Sequence, residues 1–363
     1  METLALKNLQ TLNWRRLLKL EQYTVFGLDI GSSSVKIVHL RKDGQDWVVT
    51  AAGAAEIPDG TEEDKTRREI NIVKAIRKCF GSAGIATKFA VYGVCGPEVA
   101  VRCFKFPALP NEEIHGAVTL EASQVCPFNI EEGAVDYQLI PNETGSVTGV
   151  LVAATNKLID KKNRLVQDAE LNGTLVDADG LALLNCFTES EKNYTNKTIA
   201  ILNVGSVFTT LAIIGNNSLP FVRDIAYAGN DIIEQVAAEH NLSREIVSGI
   251  LAGSSDKDNG QTAPQLGDSL ARACKKLITD VTETLRYYAA QEKSTLVEKI
   301  FICGGFSLVE GFVELFNSNF PAPVVLWNPF EKMRCEADRT CMDVLQKNGP
   351  AMAVAAGLAM RSI

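Results

Sequence analysis

The sequence predicts an α/β fold made of two similar halves, with a smaller unit inserted into the first half. One observation is a hairpin pattern that occurs twice, at 23–40 and 197–214: a β-rich apolar run, a polar residue, an apolar residue, Gly-Ser and a second β-rich run. A second observation is the alternation of strand and helix patterns along the rest of the chain. The third is the length of 363 residues, which is sufficient for about two domains.

The composition excludes several functional classes. There are 36 Lys and Arg residues against 44 Asp and Glu, which gives a formal net charge of −8. A nucleic-acid-binding surface is not expected, because neutralising phosphates requires a concentration of basic residues. No apolar run reaches the roughly 20 residues of a spanning helix, and the first residues lack a signal-peptide pattern. We therefore expect a cytoplasmic protein.

The cysteine and histidine residues do not indicate a metal or nucleophilic site. The nine cysteines are an odd number, contain no Cys-x-x-Cys and mostly stand among apolar residues, so we expect them to be reduced. The three histidines are scattered, which disfavours a zinc site and a Cys-His or Ser-His-Asp arrangement.

The repeated hairpin indicates two related domains. An offset of 174 residues places Asp29 on Asn203, Gly31 on Gly205 and Ser32 on Ser206. A Gly-Ser turn is common by itself, but the same turn at the same point of the same pattern opens each half. We therefore predict two similar domains that each begin with an antiparallel hairpin.

The rest of the first half predicts mixed helix and sheet. Apolar residues near helical spacing indicate the first helix, prolines 107 and 110 separate a strand from a helix that Asn111 caps, and Asn172-Gly173 ends a later helix. The predicted order is helix 65–80, strands 88–94 and 100–106, helix 111–126, strands 134–140 and 149–155, helix 157–171 and strand 174–179. The block from about 96 to 180 thus predicts an inserted β-helix-β-β-helix-β unit.

The second half continues in the same manner after its hairpin. Its predicted elements are helices 230–240 and 243–251, a polar loop 253–267, a long helix 268–292, strand 299–303, helix 308–316 and a last helix 349–360. The strand at 299–303 ends in Gly304-Gly305, directly before a helix.

These turns favour nucleotide binding when they are taken together. Two Gly-Ser turns that face each other can direct backbone N–H groups and hydroxyls at phosphate oxygens. Asp29 could hold a hydrated Mg²⁺ ion, Lys36 points a cation to the same region, and Gly304-Gly305 offers flat backbone to an adenine or ribose. Any one of these features alone is more often an ordinary tight turn; their joint order favours a nucleotide site.

The motifs resemble those of the actin-like ATPase superfamily. The run from Asp29 through Gly31, Ser32, Ser33 and Ser34 to Lys36 resembles its first phosphate loop. The run from Asn203 through Gly205 to Ser206 resembles its second phosphate loop, and the run from Cys303 through Gly304, Gly305 and Phe306 to Ser307 resembles its adenosine motif. Within the superfamily, the chain from about residue 20 onward is similar to the PilM family of type IV pilus assembly proteins. Four further stretches support this likeness: 120–131, 229–231, 328–330 and 348–359.

The resemblance implies two RNase-H-like domains around a nucleotide cleft, with a small α+β subdomain inserted in the first half. It implies ATP and Mg²⁺ as ligands, with Asp29 holding the ion through water. Together with the residue patterns, it predicts these units: 1–21 (a basic amphipathic segment), 22–95 with part of 340–363, 96–180 (the insertion), 181–340, and 341–363 (a helix returning to the first domain). The candidate nucleotide-binding residues are Asp29, Gly31, Ser32, Ser33, Ser34, Lys36, Asn203, Gly205, Ser206, Gly229, Asp280, Gly304, Gly305 and Phe306.

The family also implies a partner. Its members bind the short cytoplasmic N-terminal peptide of PilN, an inner-membrane protein, on the side of the inserted subdomain. We accordingly expect a cytoplasmic protein at the inner membrane that contacts other platform proteins or copies of itself. Val101, Phe104 and Phe106 are candidates for the peptide groove, although residues of an alternating strand are more often core.

Two departures from the superfamily pattern bear on catalysis. Asn203 stands where an Asp is usual, which removes a negative charge near the metal and favours phosphate binding over metal-assisted activation of water. Phe306 stands where a small residue is usual, and its ring could stack on or obstruct the base. We therefore predict nucleotide binding with weak or absent hydrolysis, and no catalytic residue is assigned.

The sequence leaves some alternatives open. An FtsA-like cell-division protein, a GspL-like type II secretion scaffold and a small-molecule kinase would share the cleft and its turns. The kinase would need an Asp over a substrate hydroxyl, of which there is no signature. The leucine-rich basic segment at the N-terminus favours either a membrane-surface helix or a helix packed on its own domain.

Overall fold

The computed structural model describes residues 24–58, 65–140, 145–194, 196–215, 219–253, 266–291 and 295–361. The predicted N-terminal segment, 1–21, and most of the predicted polar loop, 253–267, lie outside the described residues.

The described chain alternates strands and helices. The strands are β1 (Phe26–Ile30), β2 (Ser34–Asp43), β3 (Asp46–Glu56), β4 (Phe89–Val94), β5 (Val99–Phe106), β6 (Gly133–Ile140), β7 (Val147–Thr155), β8 (Asn172–Ala178), β9 (Ile199–Val204), β10 (Thr209–Ile214), β11 (Pro220–Ile225), β12 (Lys299–Cys303), β13 (Val324–Leu326) and β14 (Arg334–Cys335). The helices are α1 (Lys65–Ala83), α2 (Asn111–Val125), α3 (Asn156–Asp168), α4 (Asp179–Ser190), α5 (Gly229–His240), α6 (Arg244–Leu251), α7 (Gly267–Ala289), α8 (Phe312–Asn319), α9 (Arg339–Asn348) and α10 (Ala353–Ala359).

Two of the sheets repeat one arrangement. The first has the order β14-β3-β2-β1-β4-β8 and the second has the order β11-β10-β9-β12-β13. In each, an antiparallel hairpin (β1 with β2, β9 with β10) is extended by a parallel strand (β4 or β12) on the side of its first strand. The two related halves predicted from the repeated hairpin are therefore confirmed.

A separate three-stranded antiparallel sheet, β5-β7-β6, belongs to the inserted unit. Helix α2 covers one face, where Phe104 and Leu151 pack against Ile114 and Val118. The element order predicted for the insertion is confirmed, but its last strand, β8, pairs with β4 in the first sheet. The separate sheet therefore spans only Val99–Thr155, and the boundaries 96–180 stay a prediction.

Helices α4 and α10 fill the space between the halves at very close range. A Cβ atom on Gly27 of β1 would collide with the carbonyl oxygen of Ala355, and one on Gly357 would collide with that of Ala182. Every residue of α10 is buried, and α4 is mostly buried as far as Phe187. Helix α10 thus packs on β1, and only small residues permit this contact.

Several of the predicted helix boundaries are wrong. The helix predicted at 308–316 is a 3-10 helix at Gly305–Leu308 followed by α8, because Gly311 takes a left-handed conformation with φ of 79°. The helix predicted at 157–171 ends at Asp168, and strand β8 already begins at Asn172. The last helix begins as a 3-10 helix at Gly349–Met352.

Candidate functional site

The turns of the two hairpins meet at one point. The hydroxyl oxygens of Ser33 and Ser206 lie 2.6 Å apart, at hydrogen-bond distance, although they come from different halves. Each turn directly follows the first strand of its hairpin. Because the two sheets have the same arrangement, each turn lies at the corresponding strand end of its own sheet. The structure therefore brings the two predicted phosphate turns together.

The two turns are built in the same way. In the first, the N–H of Gly31 donates to the carbonyl of Ser34, and in the second the N–H of Gly205 donates to the carbonyl of Phe208, both at 3.1 Å. A Cβ atom on either glycine would lie 2.9 Å from the accepting carbonyl oxygen, which is too close. Glycine is thus required at both positions by the closeness of the turn itself.

The first turn is also held from behind. The carbonyl of Ser33 accepts the N–H of Ile57 at 2.8 Å, and the carbonyl of Ser32 accepts the guanidinium of Arg68 at 3.3 Å. Ser34 begins β2, opposite Glu56 of β3. These bonds hold the backbone of the turn from the side of β3 and α1. The Ser33 hydroxyl lies on the other side, next to the Ser206 hydroxyl.

Asp29 and Lys36 form an ion pair beside the first turn. They stand opposite each other in the β1–β2 register, and Nζ lies 3.2 Å from Oδ2. Both side chains are mostly buried, with 13% and 15% of their surface exposed. The geometry suits the predicted roles: the ammonium can turn from the carboxylate to a phosphate, and the carboxylate can hold a hydrated cation.

Asn203 makes its contacts toward the third motif. Its Oδ1 accepts a weak hydrogen bond from the Cys303 thiol at 3.8 Å. Gly304, with φ of 93°, lies so close that a Cβ there would approach this same oxygen to 2.7 Å and collide with the carbonyl oxygen of Val204. The neutral amide of Asn203 is therefore packed closely against the Gly304 turn.

The Phe306 ring is part of the core of the second half. It is buried and packs edge-to-face on Phe312, with ring centroids 5.2 Å apart. A Cβ on Gly229, the first residue of α5, would approach the ring to 2.6 Å, whereas the Cβ direction of Gly305 is open. The ring thus lies beneath the start of α5, and the N–H of Gly229 bonds the carbonyl of Gly205 at 3.0 Å.

Asp280 lies beside a different cavity. Its carboxylate pairs with Lys276 one turn earlier on α7, at 2.9 Å. Both side chains line a cavity of about 230 Å³ together with residues 223–226 at the end of β11. Gly304 and Gly305 are not among its lining residues. Asp280 acts electrostatically on Tyr227, two residues before Gly229, and its part in a nucleotide site stays a prediction.

Asp179 is a site residue that the sequence analysis missed. It begins α4, is buried, and its Oδ1 has no hydrogen-bond partner among the described residues. Burial and then the charge of Asp29 raise its pKa to about 7, while Lys162 and a hydrogen bond with Cys95 act in the opposite direction. Gly93 makes room for it, because a Cβ at that position would collide with Oδ1.

Asp224 is a second missed residue, on β11 of the second half. It accepts the N–H of Gly96 at 2.7 Å and the hydroxyl of Thr210 at 2.6 Å. Burial raises its pKa, and these two hydrogen bonds oppose that shift. Gly96 starts the inserted segment, so this bond joins the insertion to the second half. The sequence offers little signal for either acid, since Asp179 follows Asp177 by two residues and Asp224 follows Arg223 directly.

The three candidate partner residues do not share a surface. Phe104 is buried in the core under α2, with Phe106 stacked on it at 5.0 Å. Val101 is buried on the opposite face of β5, where it lines a cavity of about 210 Å³ together with Asp179 and Asp224. Alternation along the strand thus separates Val101 from Phe104, and neither is accessible to a partner in this conformation.

Two features are absent from the described residues. These residues contain no cluster of three or more His, Cys, Asp or Glu residues placed to hold a metal ion directly. No helix among them is both long and apolar enough to cross a membrane.

A family comparison identifies the chain. The sequence profile of the family described as type IV pilus assembly protein PilM matches residues 27–363. The chain belongs to this family. The match includes both predicted phosphate turns, the inserted sheet and helix α10, so the PilM resemblance is confirmed, and the FtsA-like, GspL-like and kinase alternatives are not favoured.

Solved structures share the fold. A PilM-PilN type IV pilus biogenesis complex has a TM-score of 0.78 at 21% identity, covering 94% of this chain and 98% of that chain. The ethanolamine utilization protein EutJ from Carboxydothermus hydrogenoformans has a TM-score of 0.55 at 12% identity, covering 92% and 88%. MreB5 of Spiroplasma citri bound to ADP has a TM-score of 0.50 at 12% identity, covering 92% and 94%. The actin-like ATPase fold predicted for this PilM family member is therefore confirmed.

Proposed function

We propose that this protein is an ATP-binding scaffold of the type IV pilus assembly platform at the cytoplasmic face of the inner membrane, where it binds the N-terminal peptide of a PilN-type membrane protein. The observation that carries the nucleotide part is the contact between the Ser33 and Ser206 turns, because it joins the two predicted phosphate motifs. Family membership and the fold shared with the PilM-PilN complex support the partner.

The residues of the cleft have distinct tasks in nucleotide binding. The Ser33 and Ser206 hydroxyls and the backbone N–H groups of the two turns hold phosphate oxygens, and Lys36 neutralises part of their charge. The backbone at Gly229 and Gly305 faces the adenosine. A Mg²⁺ ion would screen the phosphates, and Asp29 fits it through water, because a carboxylate paired with one lysine can still accept hydrogen bonds from a hydrated ion.

Hydrolysis is expected to be weak or absent. Asn203 carries no charge with which to help a metal or a water molecule, and its oxygen is directed toward Cys303 and Gly304. The site is thus better suited to holding a nucleotide than to metal-assisted activation of water.

Calorimetric titration with ATP and Mg²⁺ tests the nucleotide proposal. We expect saturable binding by the wild type and a loss of at least about tenfold in affinity for Lys36→Ala, since a charge-assisted bond to phosphate is removed. Lys42→Ala, at the distal end of the same strand, is the matched control and should bind as the wild type does. Absence of wild-type binding would refute the proposal.

We propose that the partner peptide binds at β6, which is an edge strand of the inserted sheet. An extended peptide can add to such an edge by main-chain hydrogen bonds, with neighbouring side chains reading its sequence. Leu139 of β6 is 42% exposed and offers an apolar contact there. Val101 and Phe104 would then act only by supporting the sheet from within.

Fluorescence anisotropy with a labelled synthetic N-terminal peptide of a PilN-type protein tests this placement. Leu139→Arg should weaken binding by about tenfold, because it places a charge where the bound peptide would cover an apolar side chain. Leu326→Arg is the control, since Leu326 is also an exposed leucine on an edge strand, but in the second half. Equal affinity of the two variants would refute the placement at β6, and no binding by the wild type would refute the partner.

A further inference from the structure

Lys162 holds the backbone of the first phosphate turn. Its Nζ donates to the carbonyl oxygen of Ile30 at 2.6 Å. That carbonyl belongs to the same peptide unit as the N–H of Gly31, which donates to the carbonyl of Ser34. The peptide unit that opens the turn is thus fixed at both of its polar ends, and one of the two bonds comes from outside the hairpin.

The surroundings of Lys162 are ionic. Lys162 acts electrostatically on the buried Asp179 at the start of α4, as does Asp29 of β1, which is itself paired with Lys36 of β2. Its ammonium is therefore a second cation beside the phosphate turn. Unlike Lys36, it is not part of the hairpin motif, and no pattern in the sequence marks it.

Lys162 also belongs to the helix by which the chain returns from the inserted sheet. Thr155, the last residue of β7, caps α3 by accepting the N–H of Leu158. The same threonine is bound to Glu98, on the outgoing segment, through its backbone N–H at 3.1 Å and its hydroxyl at 2.8 Å. The outgoing and returning segments are therefore fastened together at the base of the insertion.

Each of these segments also bonds to a residue outside the inserted sheet. The outgoing segment does so through the N–H of Gly96, which donates to Asp224, and the returning segment does so through Lys162. A shift of the base of the insertion would therefore change the hydrogen bonds of the first phosphate turn, and a change in the turn would act on the base.

We propose that Lys162 is a positioning residue of the nucleotide site and that it couples the first phosphate turn to the inserted subdomain. The coupling part rests on the proposed binding of ATP. Occupation of the turn by phosphates stabilises the bond between Lys162 and Ile30, which in turn steadies the base of the three-stranded sheet. Linkage is reciprocal. If ATP changes the affinity of the inserted sheet for a ligand, that ligand changes the affinity of the protein for ATP by the same factor.

Hydrogen exchange read by mass spectrometry, together with ATP titration, tests the proposal on the full chain. The variants are Lys162→Met, Lys162→Arg and the control Lys161→Met, whose side chain is exposed on the same helix. Without nucleotide, Lys162→Met should speed exchange in peptides covering Gly31, and Lys161→Met should not. With ATP, the wild type should show slower exchange in residues 99–106 and 147–155; Lys162→Met should lose this protection and bind ATP about fivefold to tenfold more weakly. Lys162→Arg should restore part of both effects.

The outcomes separate this inference from the proposed function. If the wild type binds ATP and Lys162→Met matches it in affinity and in both exchange measurements, the inference is refuted and the function stands. If the wild type does not bind ATP, the proposed function and the coupling are refuted, and exchange of the free protein alone decides whether Lys162 positions the turn. Slower exchange on ATP addition that persists in Lys162→Met would refute the coupling.

Discussion

The hydroxyl groups of Ser33 and Ser206 lie 2.6 Å apart across 173 residues of sequence. This contact joins the two halves at the point where each hairpin turns. One hydroxyl donates to the other. A phosphate oxygen can replace this bond by accepting a hydrogen bond from either hydroxyl. The contact thus relates the internal repeat of the chain directly to its proposed ligand.

Because these hydroxyls touch, their effects on ATP binding should not be additive. Ser33→Ala and Ser206→Ala should each weaken ATP binding, and the double variant should lose less than the sum of the two. The coupling free energy expected for such a pair is about 0.5–1.5 kcal/mol. A double-mutant cycle by calorimetric titration measures it, and strict additivity would show that the two turns do not hold one phosphate group together.

Phosphate release from ATP should stay near background. Asn203 replaces a charged residue, and its oxygen packs against Gly304, so metal-assisted activation of water is not supported. A colorimetric phosphate assay under saturating ATP and Mg²⁺ measures the rate, with Asp29→Ala as the background control. A rate typical of actin-like ATPases that Asp29→Ala abolishes would contradict this expectation.

Gly229→Ala should destabilise the protein. The new methyl group would lie 2.6 Å from the Phe306 ring, which is itself packed against Phe312, so the core of the second half must shift. Overpacking of this kind costs about 1–3 kcal/mol. Gly249→Ala, in α6, is the control: a Cβ there has open space, and the change should be neutral or stabilising by up to about 1 kcal/mol. Thermal or urea unfolding of both variants measures the difference.

Asp179 should make stability depend on pH. Its pKa is raised from 3.8 to about 7 in the folded state, so the folded protein binds a proton that the unfolded chain has released, and stability falls as pH rises from about 4 to 7. Asp179→Asn removes this cost. The stability gained by the variant over the wild type should therefore grow by about 1.4 kcal/mol between pH 6 and pH 8. Urea unfolding at the two pH values tests this; a gain independent of pH would show that Asp179 does not titrate in this range.

The prediction from sequence was most accurate where local patterns act alone. The two hairpins, the long helix α7 and strand β12 have strong apolar periodicity, and the structure forms them close to their predicted limits. Strand β3 was not predicted, because its alanine-rich centre has little strand propensity of its own and is held by pairing with β2. Helix α4 was not predicted either, since an apolar run of its length is ambiguous until its neighbours are known.

The site shows the same division. Asp29, Lys36 and the glycines of the turns could be proposed from sequence, because a tight turn imposes its residue types locally. Asp179 and Asp224 were missed, since what distinguishes them is burial beside the cleft and not spacing along the chain. The ring of Phe306 could be assigned only from the structure, which packs it beneath Gly229 and inside the core.

The sequence by itself determined the repeated halves, the turn chemistry and the family, because hydrophobic periodicity and the requirement for glycine in tight turns are properties of short segments. Only the tertiary structure decided which distant groups share one space. Three relationships depend on how the sheets and helices pack. They are the contact of Ser33 with Ser206, the hydrogen bond from Lys162 to the Ile30 carbonyl, and the pairing of β8 with β4 in the first sheet. Packing brings together residues that no local pattern connects, and that is why these relationships could not be derived from the sequence.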